Sequence, residues 1–456
     1  MKHQTEPYVS TTNACKLCKP LGACLAFRGI EGAIPFLHGS QGCATYMRRY
    51  IISHFREPMD IASSSLGEKH AVYGGAPNLK LGIKNVLTKY RAGLIGIAST
   101  CLTETIGDDL PMIVREFHGD FADLLHEHGD PSIVTVSTPS YSGTHMEGFH
   151  EAVRATVDQL SVADDPNESV GVFPGFLSPS DIRYLKEVLD DFGIPATILP
   201  DISLTLDGPA LDEYEKIPRG GTPISEIKSL GGARGVIEFG RTLPRKGTAG
   251  TLLESKFDIP LYSMGTPIGL RESDRLFEAL EELSGRETPE RHMLARGRLI
   301  DSFVDGHKYV FGKKAVVYGE ADLVVGLTSF LAEVGIKPVL CATGTRTGNL
   351  ERAIGDVLEE FTLASPMVKE GVDFYEIAEE AEALEPDFII GSSKGYHLAR
   401  RWNVPLIRVG FPIHDRFGGH RVLHIGYAGG QSLFDLIVNT LIERKQEQSP
   451  VGYTYI

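Results

Sequence analysis

Four of the six cysteines fall between residues 15 and 43, and that crowding is the first sign of chemistry in the sequence. Three cysteines share one local setting. Cys18 lies in Ala14-Cys15-Lys16-Leu17-Cys18-Lys19-Pro20-Leu21-Gly22, a loop that enters a helix at or just after the proline. Cys43 follows an apolar run and a Gly-rich turn, Phe36-Leu37-His38-Gly39-Ser40-Gln41-Gly42-Cys43. Cys101 follows Leu94–Thr100 and precedes Thr103-Glu104-Thr105-Ile106-Gly107-Asp108-Asp109. In a parallel sheet such turns lie at the carboxyl ends of the strands, where open α/β sheets bind ligands. A helix N-terminus lowers a thiol's pKa. Thiolates placed there can hold iron and its sulfide cluster. A [4Fe–4S] cluster takes about four cysteines. This group offers three, so a cluster shared with a partner subunit would complete the set. Each cysteine taken alone reads as a small buried hydrophobe. Cys15, in Cys15-x-x-Cys18, is either a spare ligand or half of a surface pair. Cys24, inside the first helix, and the isolated Cys341 read as core.

The elements that must position these cysteines alternate. Ala33–Leu37, Leu94–Thr100, Ile133–Ser137, Val170–Phe173, Gly235–Phe239, Ala315–Tyr318, Val339–Ala342, Phe388–Gly391 and Leu406–Val409 are short apolar runs bounded by Gly, Pro or Ser. They read as buried strands. Between them, Glu147–Leu160, Ser180–Phe192, Ser273–Leu283 and Ala321–Val334 carry helical periodicity. This alternation predicts parallel sheets with helices on both faces. Ser180–Leu199 and Asp322–Leu340 each run through a helix into Gly-Ile and then Pro before a strand, a weak internal echo. The acidic Ser161–Ser169 and the end of a helix near residue 310 serve as boundaries. The expectation is three Rossmann-like domains, 1–165 with the cysteines, 166–310 and 311–456.

Composition narrows the function. The 456 residues are 42% hydrophobic and 23% charged, which is globular. The net charge of −15 argues against a nucleic-acid partner. Glu333 interrupts Leu323–Ile336, the longest apolar candidate, so no membrane span is expected. Met1–Asn13 is polar and lacks the apolar core of a signal peptide, so a cytoplasmic location is expected. The nearest approach to a P-loop, Gly306–Lys314, has its glycines one residue too far apart and no Ser or Thr after the lysine. No G-x-G-x-x-G follows a strand, and neither G-x-S-x-G nor H-E-x-x-H occurs.

The motifs His38-Gly-Ser-Gln-Gly-Cys43, Ser53-His-Phe-Arg-Glu-Pro58, Ala62-Ser-Ser-Ser65, Ser99-Thr-Cys101 and Glu104-Thr-Ile-Gly-Asp-Asp109 resemble the beta-type subunits of nitrogenase component 1 and its relatives. The resemblance covers nearly the whole chain. It implies three Rossmann-like domains and an iron–sulfur cluster at an alpha–beta interface. Within that family, Ile300–Lys313, Ala315–Glu320 and Gly410–Gly419 look most like the N subunit of the iron–molybdenum cofactor biosynthesis scaffold. That likeness implies a subunit without independent activity. It would hold a [4Fe–4S] relay cluster through Cys43, shared with an alpha-type partner in an α2β2 heterotetramer. The partner would hold most of a transient cofactor precursor, brought by a donor and passed on to the catalytic component. The Fe protein would supply electrons.

The alternative is the beta subunit of a catalytic nitrogenase or nitrogenase-like reductase. There the resemblance implies that Cys18, Cys43 and Cys101 all bind a P-cluster. Cys18 matches the family cysteine before P-L-G-A, and Cys101 matches the one in the T-T-C turn. Thr138-Pro139-Ser140 matches a T-P-S segment near that cluster. No cysteine lies between Cys101 and Cys341, so the chain does not hold the larger cofactor in the alpha manner. A third reading, a cluster-free α/β interaction protein, leaves the turn-placed cysteines unexplained.

The remaining polar residues read as support. His126 and His128 belong to a solvated helix end. His414, His420 and His424 flank Gly418-Gly419 and read as interface hydrogen-bonding groups. Arg48, Arg49 and Arg56 would balance an anionic cluster or make surface pairs. Met47, Ile51 and Phe55 have helical spacing and read as core or interface. His38 would donate to a cluster sulfur or sit satisfied in the core.

Overall fold

Three parallel sheets carry the chain, and each grows from apolar runs that are buried on both faces. A computed structural model describes residues 15–451 apart from Tyr214 and Thr362, so Met1–Asn13 lies outside the described residues. The first sheet comprises β1 (Ala33–His38), β2 (Ala62–Ser63), β3 (Leu94–Ser99) and β4 (Ser132–Val136), in the order β2-β1-β3-β4. The second comprises β5 (Val170–Phe173), β6 (Ala196–Ile198), β7 (Gly235–Phe239) and β8 (Leu261–Met264), in the order β6-β5-β7-β8. The third comprises β9 (Lys314–Gly319), β10 (Lys337–Thr343), β11 (Met367–Glu370), β12 (Phe388–Gly391) and β13 (Leu406–Arg408), in the order β11-β10-β9-β12-β13. The multiple parallel α/β sheets are as expected.

The molecule separates into two compact units. One comprises Leu17–Phe239 and Pro244–Ser263; the other comprises Cys15, Lys16, Gly240–Leu243 and the described residues from Met264 onward. In the first unit, Ile34, Phe36, Ile95 and Ile97 of the sheet pack against Leu79, Ile83, Ile113 and Phe117 of two helices. In the second, Val317, Phe388 and Ile390 pack against Val324, Phe330 and Leu331, and against Phe434 and Ile437 of the long Gly426–Gln448 helix. Among the described residues no helix is long and apolar enough to cross a membrane.

Register places the cysteine turns. β1 pairs with β3 from Ala33↔Leu94 to His38↔Ser99, so the two strands end side by side. The turns that carry Cys43 and Cys101 therefore leave neighbouring strands at the same sheet edge.

Candidate cluster-binding site

Cys18 is the N-cap of the Lys19–Arg28 helix, with proline in its first turn. That helix crosses the His145–Leu160 helix at backbone contact. A Cβ on Gly22 would overlap the His145 carbonyl oxygen, and one on Gly148 would overlap the Lys19 carbonyl oxygen. Glycine is needed at both positions for this approach. A bridge pairs Cys18 with Thr144, and the His145 N–H donates to the Leu17 carbonyl at 3.1 Å. Cys18 is thus held on a backbone framework and is half-buried.

Cys43 is the third residue of the Gln41–Phe55 helix, whose N-cap is Ser40. The Ser40 hydroxyl donates to Cys43 Sγ at 3.5 Å. Gly39 opens the turn, and a Cβ there would strike the Thr100 side chain. Met47, Ile51 and Phe55 are buried, as their spacing predicts. Tyr46, one turn beyond Cys43, has its phenol acidity suppressed by desolvation first, then by Tyr50 and by charge on Cys18.

Cys101 is the first residue of the Cys101–Ile106 helix and is exposed. Thr100 and Thr103 form a reciprocal capping box at its start. The segment Thr138-Pro139-Ser140 closes over this turn. Thr138 donates its N–H to Ser99 Oγ at 2.8 Å and its hydroxyl to the Ser99 carbonyl at 2.7 Å. Ser140 then reaches both other elements: its N–H donates to Cys101 Sγ at 3.2 Å, and its Oγ accepts the Lys19 N–H at 3.3 Å. One residue joins the Cys101 sulfur to the start of the Cys18 helix. In the sequence Ser140 stands out only through the Thr138-Pro139-Ser140 match, which carries no sign of its bonds to Cys101 and Lys19.

The other cysteines stand apart. Cys24 is fully buried, and desolvation pushes its thiol pKa up. Cys341 is buried, hydrogen-bonded to Thr328 Oγ1 at 3.2 Å and pushed up to about 12 by burial. Cys15 packs within the other unit, beside the core of the third sheet. Burial and then Glu320 push it up to about 12. The Cys15-x-x-Cys18 pair is thereby divided between units, and Cys15 has the environment of a protonated thiol.

His38 is fully buried with both ring nitrogens engaged, Nδ1 with Ser64 Oγ and Nε2 with Asp108 Oδ2, each at 2.9 Å. It is the satisfied core histidine of the two readings. His126 is exposed and pairs with Asp130 at 3.2 Å. Arg48 pairs with Asp60 at 3.5 Å. His420 and His424 are buried, and His414 donates its N–H to Ser393 Oγ at 3.2 Å. Among the described residues no three of His, Cys, Asp and Glu come together as a metal site within this chain.

Residues 18–442 match the family model described as nitrogenase component 1 type oxidoreductase. The chain is 34% identical to the nitrogenase molybdenum-iron protein beta chain of Clostridium pasteurianum, over 96% of this chain and 94% of that one. It is 35% identical to the corresponding beta chain of Methanothermobacter thermautotrophicus, with 95% of each covered. It is 33% identical to the vanadium-iron protein beta chain of Trichormus variabilis, over 93% and 92%. Among solved structures, one described as nitrogenase Cp1 at pH 6.5 superposes with a TM-score of 0.94 at 32% identity, over 100% of this chain and 99% of that one.

These relatives, catalytic component 1 beta chains, overturn the expected scaffold N subunit and, with it, the expected scaffold subunit without independent activity. They also overturn the expected [4Fe–4S] relay held through Cys43 beside a transient precursor. Geometry supplies the physical reason. The segments that suggested the scaffold form the end of the Glu290–Val310 helix, β9 and the loop after β13, which build the unit without the three cysteines. Within the cysteine-bearing unit, Cys43 is not singled out, since Cys18 and Cys101 stand at comparable helix starts. The chain belongs to the nitrogenase component 1 type oxidoreductase family.

Proposed function

We propose that the chain is the beta-type subunit of a catalytic nitrogenase or nitrogenase-like reductase. In this reading it pairs with an alpha-type partner as an α2β2 assembly, and an ATP-dependent Fe protein is the reductant. Cys18, Cys43 and Cys101 supply this chain's share of an iron–sulfur cluster of the P-cluster type. Residues 1–165, 166–310 and 311–456 are then three Rossmann-like domains, one sheet to each.

The observation that carries the reading is Ser140, bonded at once to Cys101 Sγ and to the Lys19 N–H beside Cys18. A scaffold using Cys43 alone has no need of that link. The donor set fits such a cluster: three thiols at helix starts, two half-buried and one exposed. Three is fewer than a cluster requires, which suits a group completed by a second chain. When bound, the cluster supplies one-electron transfer. The chain's own residues hold and tune it. The Ser140 N–H and the Ser40 hydroxyl each point at a ligating sulfur. Such bonds offset negative charge on sulfur and raise a cluster's reduction potential.

Co-expression with the alpha-type partner and anaerobic purification test this reading, with iron analysis and EPR after dithionite reduction and after stepwise oxidation. The expected result is an iron-rich interface cluster, silent when reduced, that is lost or altered in each of Cys18→Ala, Cys43→Ala and Cys101→Ala. Dependence on Cys43 alone would sink it.

A further inference from the structure

We infer that His38 is a positioning residue that locks the Cys43 turn to the Cys101 turn, an inference that rests on the cluster reading above. It sits at the end of β1, one residue before the Gly39 turn. Its main chain reaches one cysteine and its ring secures the other. The His38 carbonyl accepts the hydroxyls of Thr100 and Thr103, both at 3.0 Å. These are the residues of the capping box that starts the Cys101 helix. The ring, meanwhile, binds Ser64 and Asp108. Ser64 Oγ also accepts the Gly39 N–H at 2.9 Å, and that N–H opens the Cys43 turn.

The shorter contacts of this network favour one proton assignment. Ser64 Oγ accepts from the Gly39 N–H, and its own proton goes to His38 Nδ1 at 2.9 Å in preference to the Gly39 carbonyl at 3.4 Å. The other ring nitrogen, Nε2, then carries the hydrogen and donates to the Asp108 carboxylate. The imidazole is neutral, and Asp108 bears the charge. Asp108 is further held by the Gly75 N–H, at 3.0 and 3.2 Å to its two oxygens. A Cβ on Gly75 would stand 2.6 Å from Asp108 Oδ2 and 2.8 Å from His38 Cε1, so glycine alone closes the cage.

Buried polar networks are strong only when every member is satisfied. Removing the ring takes one partner from Asp108, which keeps only the Gly75 N–H, and one from the Ser64 hydroxyl, which keeps only Gly39. The Ser64 hydroxyl that anchors the Gly39 turn is then no longer fixed by the ring, and the Cys43 sulfur moves relative to the Cys101 sulfur. A cluster spanning both sulfurs would be bound in altered geometry, and its potential would shift.

The test uses the α2β2 complex, with His38→Gln and Ser64→Ala compared with the parent. Redox titration followed by EPR reads the interface cluster's midpoint potential, iron analysis reads its occupancy, and circular dichroism checks the fold. Both variants are expected to stay folded and keep most of the iron. Each is expected to change the reduced-to-oxidised ratio at fixed poise by about tenfold, which is about 59 mV for a one-electron couple. Parental potential and line shape in both folded variants would overturn the inference. If His38→Gln fails to fold, Ser64→Ala alone decides, since it keeps the ring and its bond to Asp108 and removes the hydroxyl that links the ring to Gly39. A cluster unaffected by Cys43→Ala and Cys101→Ala in the parent complex would instead refute the underlying cluster reading.

Discussion

The carbonyl oxygen of His145 occupies the space that a side chain on Gly22 would need. This contact fixes where the Lys19–Arg28 helix begins, and hence where Cys18 stands as its N-cap. Gly22→Ala should push the two helices apart. Overpacking of this kind costs about 1–3 kcal/mol, and the movement is transmitted directly to Cys18. The variant complex should melt earlier and retain less iron. Gly355→Ala, in a helix with open space around the new methyl, is the control and should melt at or above the parental temperature. Equal behaviour of the two variants would show that the crossing is not needed.

Legibility in the sequence followed burial. Central strands such as β3 and β12 are fully buried and read directly as apolar runs. β2, β8 and β11, at sheet edges and only partly buried, did not, whereas the equally peripheral β4 and β13 carry enough apolar residues to be read. Edge strands need no continuous apolar run. The three cysteine turns were legible from local pattern. Their linkage was not, since Ser140 lies 39 residues from Cys101 and 121 from Lys19. Cys15-x-x-Cys18 misled in the other direction: the spacing suggests a pair, yet the chain divides between them.

Thiol environments predict a labelling order. In the full chain prepared without iron, Cys101 is exposed and should react first with iodoacetamide at pH 8. Cys15 and Cys341, both pushed up to about 12 by burial, stay protonated there. Only the thiolate is nucleophilic. Peptide mapping by mass spectrometry should find those two unmodified while the fold persists. Labelling of Cys15 as fast as Cys101 would contradict the placement of Cys15 against the third-sheet core.

The Arg241–Glu272 pair predicts an asymmetric mutational response. Arg241 Nη2 donates to both Glu272 oxygens at 2.8 and 3.0 Å, and Glu272 is buried. Burial raises the Glu272 pKa, against the pull of Arg241. Arg241→Met leaves a buried carboxylate with only the half-exposed Arg275 as its ion-pair partner, a change that costs at most about 3–5 kcal/mol. The double variant Arg241→Met, Glu272→Met removes the charge as well and should recover much of the loss. Denaturant unfolding of both variants checks the order; a double variant no more stable than the single one would contradict it.

Glu333 predicts a pH-dependent stability with a definite sign. Its carboxylate accepts the N–H groups of Leu270 at 2.8 Å and Arg271 at 2.9 Å, at the start of the Gly269–Ser284 helix. Burial nevertheless dominates and pushes its pKa up to about 7. The unfolded chain would release this proton near the ordinary carboxylate value of about 4.3. Between those two values the folded state binds more proton, so stability falls as pH rises, and the trend flattens above about 7. Glu333→Gln keeps an acceptor oxygen for one of the two N–H groups and removes the titration. Its stability relative to the parent should therefore grow from pH 5 to pH 8, by an order of magnitude of a few kcal/mol. The comparison needs denaturant unfolding of parent and variant at both pH values, because other groups titrate in the same range and cancel only in the difference. A difference that stays constant with pH would place the Glu333 pKa at its unfolded value and remove burial as the dominant influence on it.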